Sequence, residues 1–200
     1  VILDKTGTIT RGEPSLTDVV AKGSDEATVL RLAASLERGS EHPLGEAIVK
    51  GAEARRLTLS EAANFAAIPG HGVGGNVDGR AVLLGNAKLM LERGIAIDGL
   101  TSDWERVASE GKTPMYVAAD GSALGLVAVA DTVKPDSKAA IAVLKQLGLE
   151  VVMLTGDNER TALAIARQVG IERVLADVLP QDKAHEVQKL QLESKHVGIL

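Results

Sequence analysis

The sequence predicts an α/β protein in which a parallel sheet is interrupted by an inserted α+β domain built on an antiparallel sheet. The chain opens with a short apolar strand, Val1-Ile2-Leu3, and the part after Asp131 alternates between helix and strand patterns, which is typical of a doubly wound parallel sheet. Between these two parts lie glycine-containing hairpin patterns and helices. We therefore assign residues 1–12 and 127–200 to one discontinuous domain and residues 13–126 to the insertion.

The chain after the opening strand has the composition of a turn followed by two helices. Arg11-Gly12-Glu13-Pro14 contains both glycine and proline, so we expect the chain to leave the first sheet there. The first helix is predicted over residues 25–38, with apolar residues at helical spacing and Gly39 as its end. The second is predicted over residues 43–56, because Pro43 suits the first helical position.

Two hairpins and two short helices are predicted in the rest of the insertion. Asp78-Gly79 and Asp120-Gly121 each separate two strand-like segments, and such pairs favour tight hairpin turns. The hairpin strands are expected over residues 75–77 with 81–84 and 115–119 with 124–129, and the helices over 86–92 and 102–110.

Three helices and three strands are predicted after Asp131. Gly148 and Gly170 end the first two helices, in keeping with the preference for glycine just past a helix C-terminus. The helices are expected over residues 136–147, 159–169 and 182–192, and the strands over 151–154, 174–176 and 197–200.

Composition bounds the classes of function. The net charge is −5, and 45% of the residues are hydrophobic, so the chain has the composition of a globular domain and no general attraction to nucleic acid. It has no cysteine, which excludes disulfides and thiolate metal sites. No apolar run approaches the roughly 18 residues that span a bilayer. Because the sequence begins without methionine and stops in a strand pattern, we interpret it as part of a longer protein.

The heptapeptide Asp4-Lys5-Thr6-Gly7-Thr8-Ile9-Thr10 is the strongest functional signal. Asp4 follows an apolar strand, so it should lie at the carboxyl edge of the sheet, where open α/β sheets bind their ligands. A carboxylate accepts a phosphoryl group only if the group is held in line and its charge is neutralised. The neighbouring Lys5, the hydroxyls and a divalent cation could do this, although an ordinary turn is the alternative for a shorter match.

Two further segments point to phosphate chemistry at the same edge. Thr155-Gly156-Asp157 follows the apolar strand 151–154 and leads into a helix N-terminus, which is a favourable place for an anion. Lys183 stands at the start of a helix, where the helix dipole disfavours a cation unless an anion is nearby. A common strand–turn–helix corner and a solvated lysine are the alternatives for each segment alone.

The insertion contains two candidate ligand-binding segments. Glu41 and His42 directly precede a helix and could line a purine pocket, or form a simple cap. Gly70-His71-Gly72-Val73-Gly74-Gly75 has the dinucleotide-binding spacing, but a hairpin follows where that fingerprint requires a helix, so we reject a Rossmann site. Glycines here would let the backbone approach a flat ligand or adopt positive φ.

Taken together, these motifs resemble the P-type ATPases, and within them the heavy-metal branch, most closely the copper(I) exporters. The match covers essentially the whole chain in the family's order, and it consists of Asp4–Thr10, Ser40–Pro43, Gly70-His71-Gly72, Gly85-Asn86, Thr155–Asp157 and Pro180–Lys183.

The resemblance implies a fold, two cofactors and a set of site residues. It implies a haloacid-dehalogenase-like phosphorylation domain interrupted by a nucleotide-binding domain, with ATP phosphorylating Asp4 and Mg²⁺ held by Asp4 and the carbonyl of Thr6. Lys5, Thr155, Gly156, Asp157 and Lys183 would complete the catalytic site. The equivalents of Glu41, His42, Gly70, Gly72 and Asn86 line the adenine pocket in this branch.

The resemblance also implies a membrane-bound parent protein. In such a parent the transported metal binds in a membrane domain, an actuator domain completes the cycle, and these residues lie at the cytoplasmic face. Glu41 beside His42 favours copper or silver as the cargo over zinc or cadmium. The family's Gly-Asp-Gly-x-Asn-Asp motif, which supplies another magnesium ligand, would begin about where the sequence stops.

We therefore expect these residues to bind ATP and to phosphorylate themselves poorly or not at all. Two other functions stay open. One is a nucleotide-binding module without turnover, which would form no hydroxylamine-labile phosphate. The other is a soluble phosphatase of the dehalogenase type, although that class usually has a second acid where this chain has Thr6.

Overall fold

The computed structural model describes residues 1–192, 197 and 198, without the side chains of residues 180, 183 and 190. These residues form two compact units. Unit 1 contains Val1–Glu13, Ser109–Gly111 and the chain from Asp131 onward, and unit 2 contains Pro14–Ala108 and Lys112–Ala130. No helix in this described part of the chain combines the length and the apolar character needed to cross a membrane.

The described chain contains the following regular elements. The strands are β1 (Ile2–Asp4), β2 (Thr10–Ala21), β3 (Ala62–Ile68), β4 (Gly72–Val77), β5 (Arg80–Gly85), β6 (Thr113–Ala119), β7 (Ser122–Val133), β8 (Val152–Leu154) and β9 (Arg173–Leu175). The helices are α1 (Glu26–Glu37), α2 (Pro43–Ala54), α3 (Ala87–Glu92), α4 (Thr101–Ser109), α5 (Ser137–Gln146), α6 (Glu159–Val169) and α7 (Lys183–Leu192). Short 3-10 turns cover Asp98–Leu100 and Pro180–Asp182.

Unit 1 is built on a parallel sheet with the strand order β1-β8-β9. Asp4 pairs with Leu154, so β1 and β8 end at the same level. On the other side of β1, the backbone N–H of Ile2 donates to the carbonyl of Gly198 (2.8 Å). The strands are short and almost fully apolar, as expected for a sheet covered on its faces. The residues of α5 and α6 that pack with the sheet are Ile141, Ala162, Ile165, Ala166 and Val169.

Unit 2 is built on a six-stranded sheet with the order β2-β7-β6-β5-β4-β3, and β3 to β7 pair antiparallel with their neighbours. The predicted apolar face of α1 is fully buried against this sheet and α2, because Val29, Leu32 and Leu36 are each 0% exposed. A second cluster lies around Leu89 and Met90 of α3.

The two long strands β2 and β7 are neighbours in this sheet, and both cross the boundary between the units. The hydroxyl of Thr17 donates to the carbonyl of Ala128 (3.2 Å), and the N–H of Lys22 donates to the carbonyl of Leu124 (2.8 Å). The places where the chain enters and leaves unit 2 therefore lie side by side.

The predicted α/β class, with one parallel and one separate antiparallel sheet, is confirmed. The prediction of a turn at residues 11–14 is wrong, since these residues belong to β2. The physical reason is that β2 is an edge strand, which tolerates Pro14 although proline has no backbone N–H to donate to a neighbouring strand. In addition, Gly12 takes a positive φ of 79° within the strand. Most of the strand predicted over residues 197–200 lies outside the described residues.

Candidate functional site

Two polar corners lie next to each other at the carboxyl edge of the parallel sheet. Asp4 is the last residue of β1, and Thr155 directly follows the neighbouring strand β8. Asp4 is partly exposed, whereas Thr155 is buried. The sheet therefore places a solvent-accessible carboxylate beside a buried hydroxyl at the edge where such sheets bind ligands.

Lys5 does not point into solvent, although it follows an accessible residue. It is 5% exposed, and its Nζ lies 2.5 Å from Oδ2 of Asp157 and 3.7 Å from Oδ2 of Asp131. A charged side chain is stable at such burial only when it is paired, so the two carboxylates stabilise the buried ammonium group at the carboxyl edge of the sheet. Lys5 thus links the Asp4 corner to the Asp157 corner.

The chain after β1 makes a wide turn over Lys5–Ile9. Both the backbone N–H and the hydroxyl of Thr10 reach the carbonyl of Lys5, the hydroxyl at 2.8 Å. Gly7 has a φ of 80°, a conformation that residues with a Cβ rarely adopt, and Thr6 and Gly7 are both exposed. The turn therefore presents the Thr6-Gly7 backbone at the surface beside Asp4.

The Thr155-Gly156-Asp157 corner is held by backbone hydrogen bonds to the loop after β9. The N–H of Asp157 donates to the hydroxyl of Thr155 (3.1 Å), and the carbonyls of Thr155 and Asp157 accept from Val178 and Asp177 at 3.1 and 2.9 Å. The helix α6 then begins, with the side chain of Asn158 as its cap. Lys183 is the first residue of α7, and its side chain lies outside what the structure describes.

The predicted ligand residues of unit 2 fall into two groups. In the first group, His42 caps α2, because its Nδ1 accepts a hydrogen bond from the N–H of Leu44 (3.2 Å), and Glu41 is exposed. The connection that carries both residues packs on β3, since a Cβ built at Gly39 would lie 3.6 Å from the Phe65 ring.

The second group forms a tight corner just after the C-terminal end of β3. Asn86 caps α3 by accepting from the N–H of Leu89 (3.0 Å), and its Nδ2 donates to the carbonyl of Gly70 (2.9 Å). Gly72 has a φ of 147°, and a Cβ there would lie 2.1 Å from the carbonyl oxygen of Leu84. Gly70, Gly72 and Asn86 are therefore brought together, and the close approach of two strands at this point requires Gly72.

Glu37 is a candidate residue that the sequence reasoning missed. It is 6% exposed, and no hydrogen-bond partner for its Oε2 exists among the described residues. Burial raises the pKa of Glu37, while a hydrogen bond from Ser40 and the charge of His42 partly offset this. The carboxylate lies against Gly45, where a Cβ would be 2.4 Å from Oε2. The sequence contains a signal for this burial. Glu37 lies four residues after Ala33 and eight after Val29, which places it on the buried face of α1.

Asp131 is a second residue that was missed. Its Oδ2 accepts a hydrogen bond from Thr10 Oγ1 (2.5 Å), and its Oδ1 accepts one from the N–H of Gly12 (2.9 Å), in addition to the contact with Lys5. Like Asp4, it follows an apolar strand segment, here Leu126–Ala130, so the same pattern could have identified it.

Comparison with known proteins places these corners in context. The family model described as "haloacid dehalogenase-like hydrolase" matches residues 1–198. A copper-exporting P-type ATPase of Bacillus subtilis (strain 168) is 46% identical over 201 residues, which is 100% of this chain and 25% of that protein.

Solved structures agree with the family match. A zinc-transporting PIB-type ATPase in the E2.Pi state superposes with a TM-score of 0.87 at 36% identity, covering 96% of this chain and 31% of that one. The catalytic domain of the CPx-ATPase CopB-B, studied for its conformational changes upon nucleotide binding, gives a TM-score of 0.68 at 25% identity, covering 99% of this chain and 68% of that one.

These matches confirm the resemblance to heavy-metal P-type ATPases and the haloacid-dehalogenase-like fold class. The chain spans about a quarter of the length of the curated relatives it matches.

Proposed function

Because the chain belongs to the haloacid dehalogenase-like hydrolase family, we propose that it is the ATP-binding and aspartyl-phosphate-forming catalytic portion of a P-type ATPase that transports a heavy metal, preferentially copper. One observation carries this proposal: the accessible Asp4 lies at the sheet edge next to Thr155, and the buried Lys5–Asp157 pair joins the two corners. This arrangement supports a carboxylate that receives a phosphoryl group.

In the proposed reaction, a carboxylate oxygen of Asp4 attacks the γ-phosphorus of ATP. A bond forms between that oxygen and phosphorus, the bond to the bridging β–γ oxygen breaks, and its electron pair leaves with ADP. Exposed backbone at Thr6-Gly7 and the corner Thr155-Gly156 would contact the phosphoryl oxygens, since little covalent chemistry remains for the protein beyond positioning and charge neutralisation. Lys183 would contribute a further positive charge.

The residues at the sheet edge also fit Mg²⁺. Magnesium sites at phosphates use one or two carboxylates, with substrate oxygens and water as the other ligands. The Asp4 carboxylate and the Thr6 carbonyl are oxygen donors of this kind. The described residues contain no cluster of three or more acidic, histidine or cysteine ligands, so substrate oxygens and water would have to supply the other ligands. When bound, Mg²⁺ would neutralise charge on the transferring phosphoryl group.

Unit 2 would hold the nucleotide. We assign the adenine contacts to Glu41, His42 and the corner formed by Gly70, Gly72 and Asn86. Glu37 belongs with them, because its unpartnered carboxylate oxygen lies below the same helix connection as His42. An adenine amino group is a donor that could satisfy such an oxygen.

The wider role follows from the same relatives. We propose that the parent protein is embedded in a membrane, with these residues on its cytoplasmic face, and that its membrane and actuator domains are the partners of this chain. We favour copper as the cargo because the curated relatives are named as copper-exporting or copper-transporting ATPases, although a structurally similar protein is a zinc-transporting ATPase. ATP is the small-molecule substrate, and the metal is the cargo.

Titration with ATP, followed by backbone amide shifts, tests the proposed nucleotide site. We expect the largest shifts at His42, Gly70, Gly72 and Asn86, and weaker binding in the Glu37→Gln variant. As a matched control, Glu53→Gln changes an exposed acid on α2 and should leave binding unchanged. Shifts that avoid both groups would refute the assignment.

A second measurement separates the alternative functions. Hydroxylamine-labile phosphate on Asp4, formed from ATP even at the low yield expected of these residues and lost in Asp4→Asn, supports the ATPase. ATP binding with no detectable phosphate of this kind favours a nucleotide-binding module. Hydrolysis of p-nitrophenyl phosphate without ATP binding favours a soluble phosphatase.

A further inference from the structure

The segment in which the chain returns to unit 1 contacts the turn that follows Asp4. We call residues Asp131–Ser137 the return segment and residues 4–12 the acceptor loop. Both belong to unit 1. The sequence separation between them exceeds a hundred residues, so their contacts are a product of the fold rather than of local chain geometry.

Asp131 makes the first set of contacts. One of its carboxylate oxygens accepts from the N–H of Gly12 (2.9 Å), and the other lies 2.5 Å from Oγ1 of Thr10 and 3.7 Å from Nζ of Lys5. Thr10 is fully buried, and its backbone N–H and hydroxyl also reach the carbonyl of Lys5. Asp131 therefore acts on both the side chain and the backbone of Lys5.

The second set of contacts comes from Lys134, which directly follows β7, and from Ser137, the first residue of α5. The backbone N–H of Lys134 donates to the carbonyl of Ile9 (3.0 Å), and its Nζ donates to the carbonyl of Gly7. The hydroxyl of Ser137, which is buried, also donates to the carbonyl of Ile9 (2.7 Å). The return segment thus holds the acceptor loop at four of its residues, from Gly7 to Gly12.

These contacts bear on the chemistry because the loop contains few restraints of its own. Gly7 and Gly12 both have positive φ, and glycine has the widest conformational freedom of all residues. Hydrogen bonds that involve a charged group are the strongest in proteins, and here the charged partners are Asp131 and Lys134. A loop with two such glycines needs external contacts to keep one conformation.

We propose that Asp131 and Lys134 are positioning residues for phosphoryl transfer: they fix the acceptor loop so that Thr6 and Lys5 keep a constant place beside Asp4. This inference rests on the proposed function of Asp4. The return segment would then fix the acceptor loop in addition to connecting β7 with α5.

Amide hydrogen exchange on the whole chain tests the contacts themselves. Asp131→Asn keeps an acceptor for Gly12 but removes the negative charge that faces Thr10 and Lys5. We expect exchange at the Thr10 and Gly12 amides to accelerate on the order of tenfold, as the loss of a hydrogen bond to a charged group implies. Lys134→Met should act similarly at the loop. Asp136→Asn and Lys138→Met, which change exposed residues nearby, are the matched controls.

Binding of beryllium fluoride with Mg²⁺, followed by ¹⁹F NMR, tests the link to the reaction. This probe forms a phosphoryl-like adduct on an accepting carboxylate. We expect a signal that Asp4→Asn abolishes and that Asp131→Asn weakens roughly tenfold in apparent affinity, again by the loss of one charged hydrogen bond. A purely structural role would lower stability without changing the affinity of the folded fraction.

The outcomes separate this inference from the proposed function. Unchanged amide exchange in Asp131→Asn overturns the inference whatever the probe does. Faster exchange with unchanged probe affinity also overturns it, because the loop would then move without consequence for Asp4. A probe that binds equally well to Asp4→Asn refutes Asp4 as the acceptor and the positioning role with it.

Discussion

Replacing Asp157 with asparagine should destabilise unit 1, because the change removes the nearest negative charge from a buried lysine. Nζ of Lys5 lies 2.5 Å from Oδ2 of Asp157, and the Lys5 side chain is only 7% exposed. After the replacement, Asp131 still lies 3.7 Å from the ammonium group. The ammonium group would stay buried with an incomplete set of partners.

The size of the effect follows from the burial of the two partners. Removing one partner of a fully buried ion pair costs about 3–5 kcal/mol. Asp157 is 33% exposed, so solvent already screens part of the interaction, and Asp131 retains part of the attraction. We therefore expect a loss of about 2–3 kcal/mol, below the full cost of breaking a buried pair.

The assay must report on unit 1 alone. The single tryptophan, Trp104, lies in unit 2, so its fluorescence follows the other unit. Amide signals of β1 and β8 during urea unfolding provide the required measurement, with Asp136→Asn as the matched exposed control. A double-mutant cycle with Lys5→Met should give a coupling of about 1–2 kcal/mol. A loss within about 0.5 kcal/mol of the control, or strictly additive effects, would refute the reasoning.

Three further predictions concern unit 2, and urea unfolding monitored by Trp104 fluorescence measures each of them. Burial raises the pKa of Glu37, so the folded protein binds that proton more tightly than the unfolded chain, and the stability falls as the pH rises from about 4 towards neutrality. Glu37→Gln should flatten this fall, and an unchanged pH profile would contradict the assignment. Gly72→Ala should cost roughly 1–3 kcal/mol more than Gly79→Ala, because both glycines have positive φ but only the Gly72 Cβ would strike a carbonyl, that of Leu84. Equal losses would argue against the steric explanation. Asn86→Ala should cost about 1–2 kcal/mol through loss of the α3 cap, and no loss would mean that the cap contributes nothing to stability.

The sequence predicted the elements well where one physical signal dominated. The apolar face of α1 is buried at the expected positions, and α6 begins and ends at the expected residues because Asn158 and Gly170 mark its ends. Residues 11–14 were misjudged because glycine and proline favour turns locally, whereas the edge position of β2 depends on pairing with β7, more than a hundred residues away.

The same distinction applies to the candidate site. The motifs indicated Asp4, Thr155 and the Gly70–Asn86 corner, since each follows or precedes a recognisable element. The motifs could not indicate which acids surround Lys5, because both partners are distant in the sequence and one of them, Asp131, belongs to no motif we recognised. The burial of Glu37 likewise depends on Gly45 of the next helix.

The adjacency of β2 and β7 has an evolutionary consequence. Where two ends of an inserted segment meet side by side, a gene for a compact module can be spliced into a host fold at one point without stretching the host backbone. Unit 2 has this geometry, so an ancestor consisting of the parallel sheet alone could have gained it in one recombination event.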